Sequence, residues 1–183
     1  MTQRLFYTIF QTAAGFVGLL GSEAGLRCAT LPQNSEEAAR KILGSEVSVA
    51  TLTSRPFQNL IKRLQAYYEG YPVDFPDEVD LRGSTAFRRS VWQATRLIPY
   101  GETRSYGWIA GQIGQPQAAR AVGQALHRNP LPIIIPCHRV IASDGSLGGF
   151  GGDEGMKNYL LNLEMTDGTN QGIYSMSKVK TPG

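Results

Sequence analysis

A thiol and an imidazole stand side by side at Cys137-His138-Arg139, inside the apolar run Ile133-Ile134-Ile135-Pro136-Cys137-His138-Arg139-Val140-Ile141. Cysteine is scarce, the only other being Cys28, and His127 is the only other histidine. A lone Cys beside a His is the pairing of a nucleophile with its base. The competing reading is a buried structural Cys next to an unrelated His, since free cysteine is among the most buried residue types. On a strand, consecutive side chains point to opposite faces. If the extended run continues through Cys137 and His138, the two are therefore linked by a water, or by a change of backbone direction after Pro136. An imidazole base needs an orienting carboxylate, and Asp144, Asp153, Glu154 and Glu164 follow in sequence. Glu164 ends a helix with an apolar face and is the best placed to be buried. A Glu–His–water–Cys relay would lower the thiol's effective pKa and supply thiolate at neutral pH.

The elements that must position these groups are readable from periodicity. Residues 5–10 alternate as a strand, and residues 16–20 and 26–31 flank a glycine-bearing turn as a hairpin. Residues 35–44 carry a Ser cap, acids in the first turn, bases in the last and a terminal Gly, which together specify a helix. A second helix covers 57–68 and ends before Gly70. The acidic, proline-punctuated stretch 71–80 is a connector, which places a domain boundary near Gly83. Beyond it come helix 86–97, a helix 106–113 capped by Ser105, a turn at Gly114-Gln115-Pro116, and helix 117–127 with Pro116 suited to its first position. Two short helices joined by a glycine-containing turn form a helix-turn-helix candidate. Residues 156–164 form a last helix with Met156, Tyr159, Leu160 and Leu163 on one face, and residues from Asp167 onward lack periodicity and read as disordered.

Composition narrows the function classes. The chain has 183 residues, of which 42% are hydrophobic and 18% charged, enough to bury a core. Two cysteines supply neither a disulfide framework nor a cysteine-rich zinc site, so the expectation is a reduced cytoplasmic protein without metal. Residues 5–20 are broken by Thr8, Gln11 and Thr12, too polar for a signal peptide or a membrane span. The net charge is only +3, but Arg88, Arg89, Arg96, Arg104, Arg120, Arg128 and Arg139 share one segment with a single acid, Glu102. A polyanion partner is the sharp reading of that segment, and a solvated basic face the bland one.

The second helix of the candidate motif is unusual. Ala118, Ala119, Ala121, Gly123 and Ala125 leave it almost no long polar side chains, and Arg120 alone reaches far. A helix reading base edges in the major groove would offer more. A small-residue face suits close approach to a minor groove, with one side chain able to enter the base stack. It equally suits close helix packing within the protein. The six glycines between Gly145 and Gly155 allow backbone to lie against a flat ligand. No Gly-Lys-Ser/Thr follows, which argues against a phosphate loop.

Pro136-Cys137-His138-Arg139-Val140, with Asn129-Pro130 before it and the Gly-rich loop after it, resembles the active-site signature of the O6-alkylguanine-DNA alkyltransferases. The resemblance runs from Phe87 to Glu164 and takes in Val91-Trp92, Ile98-Pro99-Tyr100-Gly101, Ser105-Tyr106 and Ala118-Ala119-Arg120-Ala121-Val122-Gly123. It implies an α/β domain over 1–83, small sheet with helices, and a mainly α catalytic and DNA-binding domain over 84–166 with a winged-helix-like helix-turn-helix, followed by the tail 167–183. It further implies that Cys137 takes an alkyl group from the guanine oxygen as a stable thioether, once per molecule, with no cofactor. His138 would act as base through water with Glu164 behind it, and Tyr106 would donate a proton to the leaving guanine ring. Arg120 would fill the gap left by a flipped nucleotide. Ser105, Ala118, Ala119 and Gly123 would lie along the DNA, and Asn129 would tie the helix-turn-helix to the active-site segment. Pro136, the Val140 carbonyl, Phe150, the Gly151 amide and Gly152 would wall the base pocket.

The sequence departs from the commoner family pattern at Phe150, where many members have Tyr, and at Gly151, where some have Ser. Some members bind a structural zinc in the N-terminal domain; Ser22 and Arg27 occupy the matching hairpin positions here, so no zinc is expected. The implied partner is alkylated double-stranded DNA, bound by a monomer, with cooperativity on DNA left open. Two rival readings are a Cys-His hydrolase, which would turn over and leave the arginine-rich motif without purpose, and a DNA-binding lesion sensor, which would not need Cys137.

Overall fold

The computed structural model describes residues 3–148 and 154–165. By packing, the chain divides into one unit made of residues 1–82 with 130–134, and a second made of residues 83–129 with 135–183.

The first unit is a four-stranded sheet with helices. Strands β1 (Leu5–Thr12) and β2 (Gly15–Ser22) form an antiparallel hairpin, and β3 (Gly25–Ala29) pairs antiparallel with β2. The β2–β3 pairing reaches Ser22 and Gly25, so the strands extend into the stretch that the sequence reads as turn, and β3 ends at Ala29 rather than Leu31. Helix α1 (Glu36–Leu43) starts at Ser35, whose hydroxyl accepts the Ala38 amide at 3.1 Å, and stops at Gly44 with φ 86°. Its Leu43 lies so close to β2 that a Cβ on Gly18 would meet the Leu43 side chain at 2.9 Å. After α1 the chain adds β4 (Thr51–Leu52) parallel to β1, giving the order β3-β2-β1-β4, and then α2 (Gln58–Tyr68). Tyr7, Leu20, Leu43 and Val47 close the core between sheet and α1, with Cys28 packed against them.

The connector is fastened to this sheet. Val79 bridges to Leu26, and the buried Asp80 carboxylate accepts Ser22 Oγ at 2.9 Å and Arg82 Nε at 2.7 Å. Arg27 pairs with Glu46 at 2.8 Å. Ser22 and Arg27, the positions compared above with zinc ligands, are thus both committed to carboxylates.

The second unit is mainly helical. Helix α3 (Ala86–Thr95) is capped by the Thr85 hydroxyl, and α4 (Tyr106–Gln112) by the Ser105 hydroxyl, which accepts the Trp108 amide at 3.0 Å. Helix α5 (Ala119–His127) begins later than the sequence suggests. Pro116 sits inside a turn in which the Ala118 amide bonds the Gln115 carbonyl, because proline's fixed φ suits the second turn position as well as a first helical one. The Trp92 indole N–H donates to the Ala125 carbonyl at 2.9 Å, fixing α3 to α5. Two-residue strands β5 (Arg104–Ser105) and β6 (Val140–Ile141) pair in parallel, which sets the start of α4 beside the segment carrying Cys137.

Helix α6 (Glu154–Met165) buries Lys157, Leu160, Leu161 and Glu164. The face inferred from apolar residues alone is therefore corrected: Tyr159 is 40% exposed, and two charged side chains take buried positions. The charge partners described below outweigh the hydrophobic ranking. No helix among the described residues is long and apolar enough to cross a membrane.

Candidate active site

The run Ile133–Ile135 is buried but not a strand. Ile133 takes a positive φ of 74°, and Pro136 turns the chain into a 3-10 turn over Cys137–Arg139. The Arg139 amide bonds the Pro136 carbonyl at 2.9 Å. Extension through Cys137 and His138 is thus replaced by the other geometry considered, a change of direction after the proline. The turn lets two successive side chains, His138 and Arg139, converge on one carboxylate.

That carboxylate is Glu164. His138 Nε2 lies 2.5 Å from Glu164 Oε1, and His138 is fully buried. Arg139 Nε and Nη2 both reach Glu164 at 2.9 Å, and the Gly101 amide donates to it at 3.2 Å. Burial alone would raise the Glu164 pKa, but His138 and Arg139 outweigh it and hold the group well below the carboxylate range. An ionised Glu164 assigns a proton to His138 Nε2, which leaves Nδ1 as the basic nitrogen. Burial lowers the His138 pKa, against the pull of Glu164, and so keeps the ring neutral.

Cys137 is 8% exposed. Asn129 Nδ2 donates to the Ile135 carbonyl at 2.8 Å and to Cys137 Sγ at 3.1 Å, so one amide both shapes the turn and supports the sulfur. Burial pushes the Cys137 thiol up, while the Asn129 bond, the Lys157 charge and nearby backbone amides pull it down. Lys157, absent from the sequence reading, is the residue that reasoning missed. Its ammonium donates to the Val140 carbonyl at 2.6 Å and to the Leu147 carbonyl, and lies 5.9 Å from the Tyr106 ring centre. Burial lowers its pKa to about 8, against the favourable field of Cys137. The available signal was spacing: Lys157 and Glu164 stand two helical turns apart on one face.

Tyr106 opens α4 and lies against glycine on two sides. A Cβ on Gly123 would come within 3.7 Å of its ring, and one on Gly148 within 2.6 Å of its hydroxyl. Burial and then the Cys137 charge raise the Tyr106 pKa, so the phenol keeps its proton. Tyr106, Ala119, the exposed Arg120, Gly123, His127 and Arg128 line an open groove of about 890 Å³, together with Ala142, Ser143 and Gly148. Ala118 sits at the start of α5, and Ser105 is occupied as the cap of α4. Pro136 and Val140 are buried beside Cys137. Phe150, Gly151 and Gly152 lie outside the described residues.

A buried thiol next to a His–Glu pair, in the unit whose helix-turn-helix carries an arginine-bearing groove, is the arrangement of a cysteine-dependent transferase on a DNA-binding scaffold. The profile of the 6-O-methylguanine DNA methyltransferase DNA-binding domain matches residues 86–166. The methylated-DNA–protein-cysteine methyltransferase of Mycolicibacterium paratuberculosis is 54% identical over 114 residues, covering 62% of this chain and 68% of that one. Its counterpart in Methanosarcina acetivorans is 41% identical over 87% of this chain and 98% of its own. A Mycobacterium tuberculosis homologue solved in complex with DNA superimposes with a TM-score of 0.73 at 42% identity, covering 87% of this chain and 92% of that one. The chain belongs to the methylated-DNA–protein-cysteine methyltransferase family. Its activity is direct reversal of DNA alkylation by alkyl transfer to a cysteine.

Proposed function

We propose that Cys137 is the acceptor and that it takes an alkyl group from the O6 position of guanine in double-stranded DNA, once per molecule. The thiol proton passes through a water to His138 Nδ1, and the sulfur attacks the alkyl carbon in line. The S–C bond forms as the C–O bond breaks, and the electron pair goes to the guanine. Tyr106 donates its proton to the leaving ring, and the proton held by His138 returns to the phenolate through solvent. In sum, thiol and alkylguanine become thioether and guanine.

The groove receives the DNA, with the small residues Ala118, Ala119 and Gly123 permitting close approach on the minor-groove side. Arg120, exposed on the groove wall, fills the stack when the nucleotide flips toward Cys137. Pro136 and Val140, buried next to the Cys137 turn, wall the base. In this reading residues 84–166 are the catalytic and DNA-binding domain, and residues 1–83 accompany it. A monomer suffices, since every group invoked comes from one chain. Chemistry that consumes a reduced thiol on genomic DNA belongs in the cytoplasm.

The observation that carries the proposal is the convergence on Cys137: Asn129 at 3.1 Å from the sulfur, and the adjacent His138 at 2.5 Å from a buried Glu164. The test is incubation with duplex DNA bearing labelled O6-methylguanine, followed by peptide mass mapping. One label per protein on the Cys137 peptide is the expected result; label on Cys28, or multiple turnovers, would refute the assignment.

A further inference from the structure

Arg139 has no part in the relay as drawn, yet it is bound more tightly than a packing residue needs to be. The residue is 6% exposed, and its guanidinium meets Glu164 through Nε and Nη2, donates from Nη1 to the Ile98 carbonyl at 2.8 Å, and lies 5.7 Å from the Tyr100 ring centre. It therefore joins the turn that carries Cys137 to α6 and to the segment after α3 at once. Burying an arginine is costly unless its donors are matched, and here they are spent on the one carboxylate that also holds the base.

We propose that Arg139 is a positioning residue: it keeps Glu164 a permanent anion, and its charge sets the pH at which His138 fills with a proton and stops acting as base. This rests on the reading of His138 as the base. The charged groups acting on the imidazole are Glu164 and Lys157 from α6 and Arg139 on its own turn. Glu164 favours the imidazolium, whereas Arg139 and Lys157 oppose it. A carboxylate left to His138 alone would draw the ring toward imidazolium. One shared with a guanidinium orients the ring while remaining a poor proton acceptor. Reduced proton affinity at Glu164 and neutrality at His138 are consistent with that division of labour.

The sign of the effect follows. Transfer requires neutral His138, so the rate falls as pH drops through the His138 pKa. Removing the Arg139 charge lets the ring protonate at higher pH, and the acid limb of the rate profile moves upward, by about one pH unit or more.

The experiment measures methyl transfer from an O6-methylguanine duplex against pH for the wild type, Arg139→Met and Arg139→Lys. It is paired with ring 15N NMR of His138 in the resting wild type, with His127→Gln to assign the signals. The expected result is a neutral His138 carrying its proton on Nε2 at neutral pH, and an acid limb raised in Arg139→Met. In Arg139→Lys the limb stays at the wild-type position, while the rate falls about tenfold because one amine cannot reproduce the fork. An equal loss at all pH values in Arg139→Met, or a resting imidazolium in the wild type, would overturn the proposal. If Arg139→Met does not fold, the wild-type ring state and the Arg139→Lys limb decide it. Absence of transfer by the wild type would instead sink the functional reading, which the NMR result does not depend on.

Discussion

Lys157 and Glu164 stand on the same buried face of α6 and send opposite charges into neighbouring parts of one turn. The ammonium serves the thiol side, through Val140 and the field at Cys137, and the carboxylate serves the imidazole side. A single helix thus carries the counter-charges for both the Cys137 thiol and the His138 imidazole. Its docking against the turn is what gives the thiol its surroundings.

Replacing Lys157 by Met removes the cation that favours thiolate. Alkylation of Cys137 by iodoacetamide, followed by mass mapping so that Cys28 does not interfere, should slow about tenfold at pH 7 and require higher pH to recover. Lys157→Arg should retain most of the reactivity. Unchanged rates in Lys157→Met would show that the ammonium is only a tether for the Val140 and Leu147 carbonyls.

Stability should fall with acid in two stages. The folded His138 pKa lies below its ordinary value of 6.5, so the unfolded chain binds a proton first and stability declines as pH drops below about 6.5. The folded Glu164 pKa is also depressed, from 4.5 to about 2, so its contribution is full above 4.5 and is lost as pH falls toward 2. Glu164→Gln should cost about 3–5 kcal/mol at pH 7, because it leaves Arg139 buried without its counter-charge, and should flatten the lower stage. Urea unfolding at about pH 7, 5.5, 4 and 3 checks both.

Gly148 combines φ 66° with a Cβ position 2.6 Å from the Tyr106 hydroxyl. Gly148→Ala should displace the phenol and slow transfer about tenfold or more, with DNA affinity nearly unchanged. Equal loss of binding and transfer, by gel shift and single-turnover kinetics, would place Gly148 in the DNA interface instead.

Arg120 is exposed and lines the groove, whereas His138 and Glu164 are buried. Arg120→Ala should slow transfer from duplex DNA far more than from free O6-methylguanine, since only the duplex demands unstacking, worth a few kcal/mol. An equal loss on both substrates would refute a flipping role.

Much of this site was legible because its signals are local. Ser35 and Ser105 announce helix starts, and both hydroxyls accept the expected amides. Glu164 could be picked from four nearby acids because a helical apolar pattern surrounds it. What was hidden depends on partners distant in sequence. The turn at Cys137 could not be separated from a strand by composition, since Ile and Val favour strands and only the preceding proline hinted otherwise. Nothing in the sequence marks Lys157 for burial, and Arg139 reads as one of a basic series, until the carbonyls of Val140, Leu147 and Ile98 and the carboxylate of Glu164 are seen around them. The α6 face was misjudged for the same reason.

The two-residue ladder of Arg104–Ser105 with Val140–Ile141 joins segments that flank the whole helix-turn-helix. Closing so long a segment costs loop entropy, which is offset only when the helices inside it pack. The pairing that sets the start of α4 beside the Cys137 turn is thus tied to the packing of α4 and α5, and loosening either helix loosens the turn.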